Sequence, residues 1–464
     1  MGQAAAFFDL DRTLLRGASG PVIGAALRDA GLLSERSIPG EGLLYKFFDV
    51  VGETLPSMVL ARQAVTVASG WSADAVVEAA HAAADVLTGA VQPWAHQLME
   101  EHRSAGRMVV LATTTPFDVV KPFADRLGLD DVVATRYGRD DDGKYNGSIL
   151  GNFVWGTGKL AAVRAWADER GIDLRDCWAY SDSVYDTPLL HAVGQATAVN
   201  PDPRLALVAS ARRWPILHLD VPPGVPKLVG IEPLEALRPL LNPRMLPFAR
   251  FDIQGVTAIP ETGPAILVSN HRSYFDPMLL EMVAAKVGRA ARFLAKKEMF
   301  EAPVIGQLMS AVGAIRVDRG SGSSAPLEAA GRALRAGELI ALLPEGTIPR
   351  GPDFFDPELK GRPGAARLAR ATGAPVIPIG LWGTERVWPR SSKLPRLLSV
   401  NPPRVRARVG SPIMGLTGDE VADTKRIMDA IRDLLPPEAQ VLREPTAGQL
   451  RATYPGGKIP EDAA

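Results

Sequence analysis

A single cysteine, Cys177, stands among 464 residues, so no disulfide can close within the chain, and its apolar setting fits a reducing compartment. No apolar run reaches the length of about 18 residues that a spanning helix requires, and any membrane contact is expected to be peripheral. Net charge is lacking too. Fifty-two basic and 52 acidic residues cancel, which argues against nucleic acid as a partner held by overall charge. The opening Ala4 to Phe8 gives way at once to Asp9, too short and wrongly flanked for a secretory signal. The expectation is a cytoplasmic protein, peripheral at the inner face of a membrane. Internal repeats are absent, and histidines number only six.

What is present is a globular composition, 46% apolar and 22% charged. The length exceeds one ordinary core, so two domains of roughly 200 residues each are expected. Strand-like runs (Ala4 to Phe8, Met108 to Ala112, Cys177 to Tyr180) alternate with helical ones, the rhythm of an α/β fold with a mostly parallel sheet. This first domain spans 1–218. Within it, about 15–105 is helical and aliphatic, as a cap over the carboxyl ends of the strands would be. Prolines crowd a linker at 219–247, where Leu234, Leu237, Leu240 and Leu241 recur near helical spacing beside Arg238 and Arg244. That segment either skims a membrane or packs its leucines on a neighbouring domain. A second α/β pattern fills 248–442, and the tail 443–464 is expected to be poorly ordered.

Asp9-Leu-Asp11-Arg-Thr13 places two carboxylates at the end of the first strand, where one can attack and the other donate a proton. A phosphoryl group is ringed by negative oxygens, so a carboxylate nucleophile needs a divalent cation and a lysine to screen the repulsion. Thr113, Lys159, Asp182 and Asp186 follow in order, at a strand end, a helix start and a second strand end. Taken singly, each of these is as well explained by a solvated turn or a helix cap. Together they resemble the four motifs of haloacid dehalogenase-like phosphatases, over about residues 3–215, in the phosphoserine-phosphatase-like branch with its helical cap. The resemblance implies Asp9 as the phosphorylated nucleophile, Asp11 as general acid and base, and Thr113 and Lys159 as phosphoryl contacts. It also implies Mg²⁺ held by Asp9, the backbone carbonyl of Asp11 and Asp182, with Asp186 in support. Arg12 occupies a position that is small in many relatives.

Farther on, the apolar Ala265 to Val268 delivers His271-Arg-Ser-Tyr-Phe-Asp276. An imidazole held in one tautomer by a carboxylate can take the proton of an alcohol. Asp276-Pro277 equally suits a helix start, since Asp caps well and Pro fits the first turn. The company of Lys296, of Gly313 to Arg319, of Leu343-Pro-Glu345-Gly346-Thr347 and of Val376 to Ile379 resembles the four blocks of glycerolipid acyltransferases of the lysophosphatidic acid acyltransferase type, over about 248–412. That resemblance implies His271 as base, Asp276 as its support, Arg319 on the acceptor phosphate, Glu345, Gly346 and Thr347 lining the pocket, and Pro378 shaping the acyl side. Many relatives carry arginine directly after Glu-Gly-Thr, where Ile348 stands here, with Arg350 two residues on.

Arg404, Arg406 and Arg408 alternate along one strand, downstream of Arg386, Trp388, Arg390, Lys393 and Arg396. Such a patch suits an anionic membrane surface, or else guards a sheet edge. The whole suggests a bifunctional enzyme of phospholipid metabolism. Its partners would be a lysophospholipid and an acyl thioester of coenzyme A or acyl carrier protein, and its metal Mg²⁺. The alternative is one active domain, the acyltransferase, beside a regulatory module, or a phosphatase serving an unrelated soluble monoester such as phosphoserine.

Overall fold

The apolar run Ala5–Phe8 forms β1, buried at all four positions, because parallel strands flank it on both sides. These are β2 (Met108–Pro116) and, beyond β3 (Asp131–Arg139) and β4 (Tyr145–Leu150) in the chain, β5 (Trp178–Ser181). With β6 (Gln195–Val199) and β7 (Ile216–Leu217) the sheet order is β4-β3-β2-β1-β5-β6-β7. The chain therefore departs to opposite sides of β1, and the crevice at the carboxyl ends of β1 and β5 is where an open α/β sheet holds its ligand. The computed structural model describes residues 4–33, 55–227, 231–301, 305–317, 324–398, 400–442 and 444–460. It divides into two units, Met1–Pro223 and Gly224–Ala464.

Between β1 and β2 lie the helices Gly20–Asp29, Leu55–Val67 and Ala73–Gly89. The last is capped by the Ser72 hydroxyl and buries Val76, Ala79, Ala80, Ala83, Ala84 and Leu87, a helical stripe. The insertion closes where Leu15 bridges Val91 and the Gln92 amide donates to the Leu14 carbonyl at 2.7 Å. Its floor is the β3–β4 hairpin, whose buried Tyr145 packs against Ala68, Ala73 and Val76. The helix Ala95–Ser104, expected inside the cap, instead lies on the sheet. Its His102 is buried, with Nε2 2.8 Å from the Tyr180 hydroxyl and its ring edge-on to Phe8. Burial, helped by Arg107, lowers the His102 pKa to about 4, so this imidazole is a neutral core group.

In the second unit, β9 (Ala265–Ser269) is buried throughout. Its sheet runs β11-β10-β12-β9-β13-β14-β8, with β8 at Arg250–Gln254, β10 at Ala291–Lys296, β11 at Ile315–Val317, β12 at Leu339–Leu342, β13 at Val376–Trp382 and β14 at Arg404–Val409. Only the β13–β14 pair is antiparallel. The helix Asp276–Ala285 covers one face with Leu279, Leu280, Met282 and Val283. Of the linker leucines, Leu234 and Leu241 are buried while Leu237 and Leu240 stay exposed. Glu232, also buried, is held by both Nη2 contacts of Arg292, at 2.9 and 3.1 Å, so the segment docks as part of this unit's core.

The tail, expected to be loose, is tied down as far as it is described. Thr446 and Gln449 form a reciprocal capping box on the helix Ala447–Ala452. Thr453 Oγ1 accepts from the Gly351 amide at 2.8 Å, and Tyr454 is buried against Gly351. Among the described residues no helix is long and apolar enough to cross a membrane.

Candidate functional site

At the end of β1 the Asp9 amide donates to the Tyr180 carbonyl at 3.0 Å, which sets Asp9 beside Ser181-Asp182 as β5 ends. Lys159, third in the helix Thr157–Asp168, is only 1% exposed. Its Nζ lies 2.8 Å from Asp9 Oδ1 and 2.6 Å from Asp186 Oδ2. A buried ammonium costs several kcal/mol unless paired, about what two carboxylates and good geometry can offset. Ser181 Oγ also donates to Asp186 Oδ2, at 2.7 Å. Asp186 is thus the structural counter-charge that steers Lys159 toward Asp9. Thr113, buried on the neighbouring β2, accepts from the Thr115 amide at 3.2 Å.

Asp11 has extended backbone, and its Oδ1 accepts from the Ser19 amide at 2.6 Å. Arg12 has φ 56°, a left-handed conformation unusual for a side chain of this size. Asn200 Nδ2 donates to its carbonyl at 3.3 Å, and its Nε sits 3.3 Å from Asp182 Oδ2. Asp182 is braced from behind, its carbonyl accepting from the Asp202 amide at 2.8 Å. Ser181, Asn200 and Asp202 are positioning residues to which the sequence reading gave no role of their own.

Asp11 is expected to reach Mg²⁺ through its backbone carbonyl, and its carboxylate turns to Ser19; Asp186, expected in support, gives Oδ2 to Lys159 and Ser181. Among the described residues no three His, Cys, Asp or Glu side chains gather as a metal cage. The expected ligand set, the carboxylates of Asp9 (which also meets Lys159) and Asp182 (which also meets Arg12) with the Asp11 main-chain oxygen, is all-oxygen and few in number. That fits Mg²⁺, which keeps several waters and takes one or two carboxylates.

In the second unit Asn270, the residue after β9, is pinned to β13 from both sides of its amide. Nδ2 donates to the Leu381 carbonyl at 3.0 Å and Oδ1 accepts from the Leu381 amide at 2.8 Å. His271 then turns its Nδ1 to Asp276 Oδ2 at 2.8 Å. The same oxygen accepts from the amides of Arg272, at 2.6 Å, and Ser273, at 2.8 Å. Three donors converge on one oxygen of a fully buried side chain. The helix that begins at Asp276 receives no side-chain cap, so the carboxylate turns back to the histidine loop, and capping does not explain it. With Nδ1–H committed, Nε2 is left to act as base, and the side chain is 16% exposed.

The His271 amide donates to Glu345 Oε1 at 2.9 Å, which joins the ends of the adjacent strands β9 and β12. Loss of water around the Glu345 carboxyl pushes its pKa up to about 8. Gly346 has φ 73°, and a β-carbon there would come within 3.2 Å of Arg362 Nε. Arg362, exposed beside that glycine, is a cation that the motif did not flag. Arg272 lies between the rings of Phe354 and Trp382, 4.1 and 4.2 Å from their centroids, and meets Glu385 at 3.3 Å. It is a strut. Thr347 is half-buried, Ile348 is buried and Arg350 is exposed. Arg319 and the Lys296 side chain lie outside the described residues.

The strand patch expected to meet a membrane is largely neutralised. Asp252 holds both Arg404 and Arg408 at 2.7 Å, and chiefly through Arg408 its pKa falls to about 2. Arg406 faces Glu438 at 3.5 Å. Arg390 is buried and donates to the Ile348 carbonyl. The opposing acids come from strands and turns remote in sequence.

Residues 6–191 match the haloacid dehalogenase-like hydrolase family, and residues 250–382 the acyltransferase family. The chain is 36% identical over 222 residues to the inhibition of morphological differentiation protein of Streptomyces azureus, covering 47% of this chain and 80% of that protein. It is 35% identical over 216 residues to a phosphoserine phosphatase of Mycobacterium tuberculosis, covering 46% of this chain and 70% of the relative. A chloroplastic 1-acyl-sn-glycerol-3-phosphate acyltransferase of Brassica napus is 33% identical over 184 residues, 39% of this chain and 50% of that protein. The chain belongs to the haloacid dehalogenase-like hydrolases, in a phosphoserine-phosphatase-like form, and carries behind that domain a fused domain that matches the acyltransferase family.

Proposed function

We propose that the second unit acylates the free hydroxyl of a 1-acylglycerol 3-phosphate to give phosphatidic acid, and that the first hydrolyses a phosphomonoester through a phosphoaspartate. The observation that carries the first half is the convergence of His271 Nδ1 and two backbone amides on Asp276 Oδ2. It fixes the imidazole with Nε2 outward. Nε2 takes the hydroxyl proton as that oxygen attacks the thioester carbon, the C–S bond breaks, and the imidazolium returns its proton to the departing thiolate. The carboxylate of Asp276 steadies the imidazolium meanwhile. Arg319 and Arg362 are the cations assigned to the acceptor phosphate, and Gly346 lets backbone approach it. The acyl donor is a thioester of coenzyme A or acyl carrier protein, met at the cytoplasmic face of a membrane.

In the first unit Asp9 attacks phosphorus while Asp11 protonates the leaving oxygen. Asp11 then takes a proton from the water that cleaves the phosphoaspartate. Lys159 holds Asp9 and offsets charge on the phosphoryl oxygens, and Thr113 donates its hydroxyl to one of them. Mg²⁺, when bound by Asp9, Asp182 and the Asp11 carbonyl, supplies further charge compensation for the phosphoryl group. Its substrate is either the phosphatidic acid made by the second unit or a soluble monoester, which the similarity to a phosphoserine phosphatase favours.

One experiment tests both halves. Purified protein receives labelled lysophosphatidic acid and acyl-CoA, with and without Mg²⁺, and phosphatidic acid, diacylglycerol and free phosphate are followed by mass spectrometry. Asp9→Asn is expected to abolish phosphate release, from lipid or phosphoserine, and to leave acyl transfer intact. Phosphate release that survives in that variant would remove Asp9 from the mechanism.

A further inference from the structure

The chain between β13 and β14 carries a short apolar loop whose base is well held. The Ser273 hydroxyl donates to the Trp388 carbonyl at 2.7 Å, the Trp388 indole donates to the Ser392 carbonyl at 3.3 Å, and the Arg396 amide donates to the Val387 carbonyl at 2.8 Å. Pro389 and Arg390 are buried. Beyond that base the side chains face water. Leu394 is 74% exposed, Leu397 52%, Leu398 97% and Val400 fully. Scattered aliphatic groups on a surface need no explanation, but four within one short loop do.

Lys393 and Arg396 stand among them, exposed, and among the described residues neither forms an ion pair. No acidic residue occurs anywhere from Arg386 to Arg408. This separates the loop from the neighbouring β14, whose arginines are matched by Asp252 and Glu438. A partner surface complementary to this loop is negative at its face and apolar beneath, the profile of a bilayer with anionic headgroups. The loop is also tied to the histidine. Trp388 meets the ring of Tyr274 at 5.8 Å, and Tyr274, 45% exposed, lies between His271 and Asp276 in the chain.

We propose that residues 391–398 together with Val400 form the loop by which the second unit docks on an anionic lipid surface, with the leucines entering the acyl boundary and Lys393 and Arg396 meeting headgroup phosphates. The bilayer then lies beside Tyr274, so that a lipid acceptor reaches His271 from the membrane plane. This last clause rests on the acyltransferase reading, whereas the docking itself does not.

The test is sedimentation of the full chain with vesicles of phosphatidylcholine alone or with about a third phosphatidylglycerol. Wild type is expected to bind the anionic vesicles. The triple variant Leu394→Asp, Leu397→Asp, Leu398→Asp, whose changes lie at exposed positions, is expected to bind at least about 100-fold more weakly. Lys393→Ala with Arg396→Ala is expected to erase the preference for phosphatidylglycerol. Leu207→Asp, at an exposed site in the first unit, is expected to change nothing. Wild type that ignores both kinds of vesicle, or a triple variant that sediments as wild type does, overturns the proposal, and the loop is then a surface for a protein partner. Acyl transfer to a short-chain, monomeric acceptor is expected to persist in the triple variant. Vesicle binding by wild type and its loss in the variant, with no acyl transfer by either, would sustain the docking and sink the acyltransferase reading.

Discussion

Asp276→Asn separates the two things that the Asp276 side chain does. All three donors, His271 Nδ1 and the amides of Arg272 and Ser273, meet Oδ2. Asparagine keeps an oxygen there and loses the charge. A hydrogen bond to a charged group contributes about 1.5–3 kcal/mol against about 0.5–1.5 for a neutral one, so each contact weakens by about 1 kcal/mol. The other oxygen, Oδ1, is buried with no partner among the described residues. In the variant an amide NH₂ sits there unsatisfied, at a further cost of about 1–3 kcal/mol in stability. The larger effect falls on turnover, because the imidazolium formed at the transition state loses its counter-charge. The expected fall in kcat is about 10²–10⁴, or about 2.7–5.5 kcal/mol of barrier. Initial rates of acyl transfer, normalised to the folded fraction from a thermal melt, give the two numbers separately. A variant of lowered stability whose kcat stays within about threefold of wild type would show that Asp276 merely shapes the loop.

Two further outcomes concern the same site. Glu345 has its pKa raised from 4.5 to about 8 by loss of solvation, so between those values the unfolded chain has released a proton that the folded chain keeps. Stability is therefore expected to fall as pH rises from about 4.5 to about 8. Glu345→Gln, which preserves an acceptor for the His271 amide, should flatten that fall in urea melts across the range, and unchanged slopes would contradict the assignment. Arg362→Ala is expected to raise KM for a phosphate-bearing acceptor about 10- to 100-fold with little change in kcat. The same loss with a phosphate-free acceptor would remove Arg362 from headgroup binding.

The geometry of both candidate sites was legible because their residues cluster at strand ends in short motifs. Asp9 and Asp11, Asp182 and Asp186, and His271 and Asp276 each lie within a few residues of one another, and an apolar strand before each pair announces its place. What escaped the sequence is what meets them from afar. Asn270 finds Leu381 across 111 residues, and Arg390 the Ile348 carbonyl across 42. The β14 arginines looked like a free cationic face because alternation tells which side chains share a face, not what stands opposite. Asp252, on β8 more than 150 positions earlier, stands there. The tail was misjudged for a simpler reason. Its Thr446-Ala-Gly-Gln449 box and the aromatic Tyr454 are local signals of order, outweighed by the glycines and acids that follow.

The hydrogen bond from the Ser19 amide to Asp11 ties the residue assigned as proton donor to the insertion. Ser19 is the residue on which the helix Gly20–Asp29 begins, so a displacement of that helix relative to the sheet would pull directly on the carboxylate to which the proposed mechanism assigns the leaving-group proton. On the mechanism proposed above, an insertion that opened to exchange substrate and product would retract that acid as well.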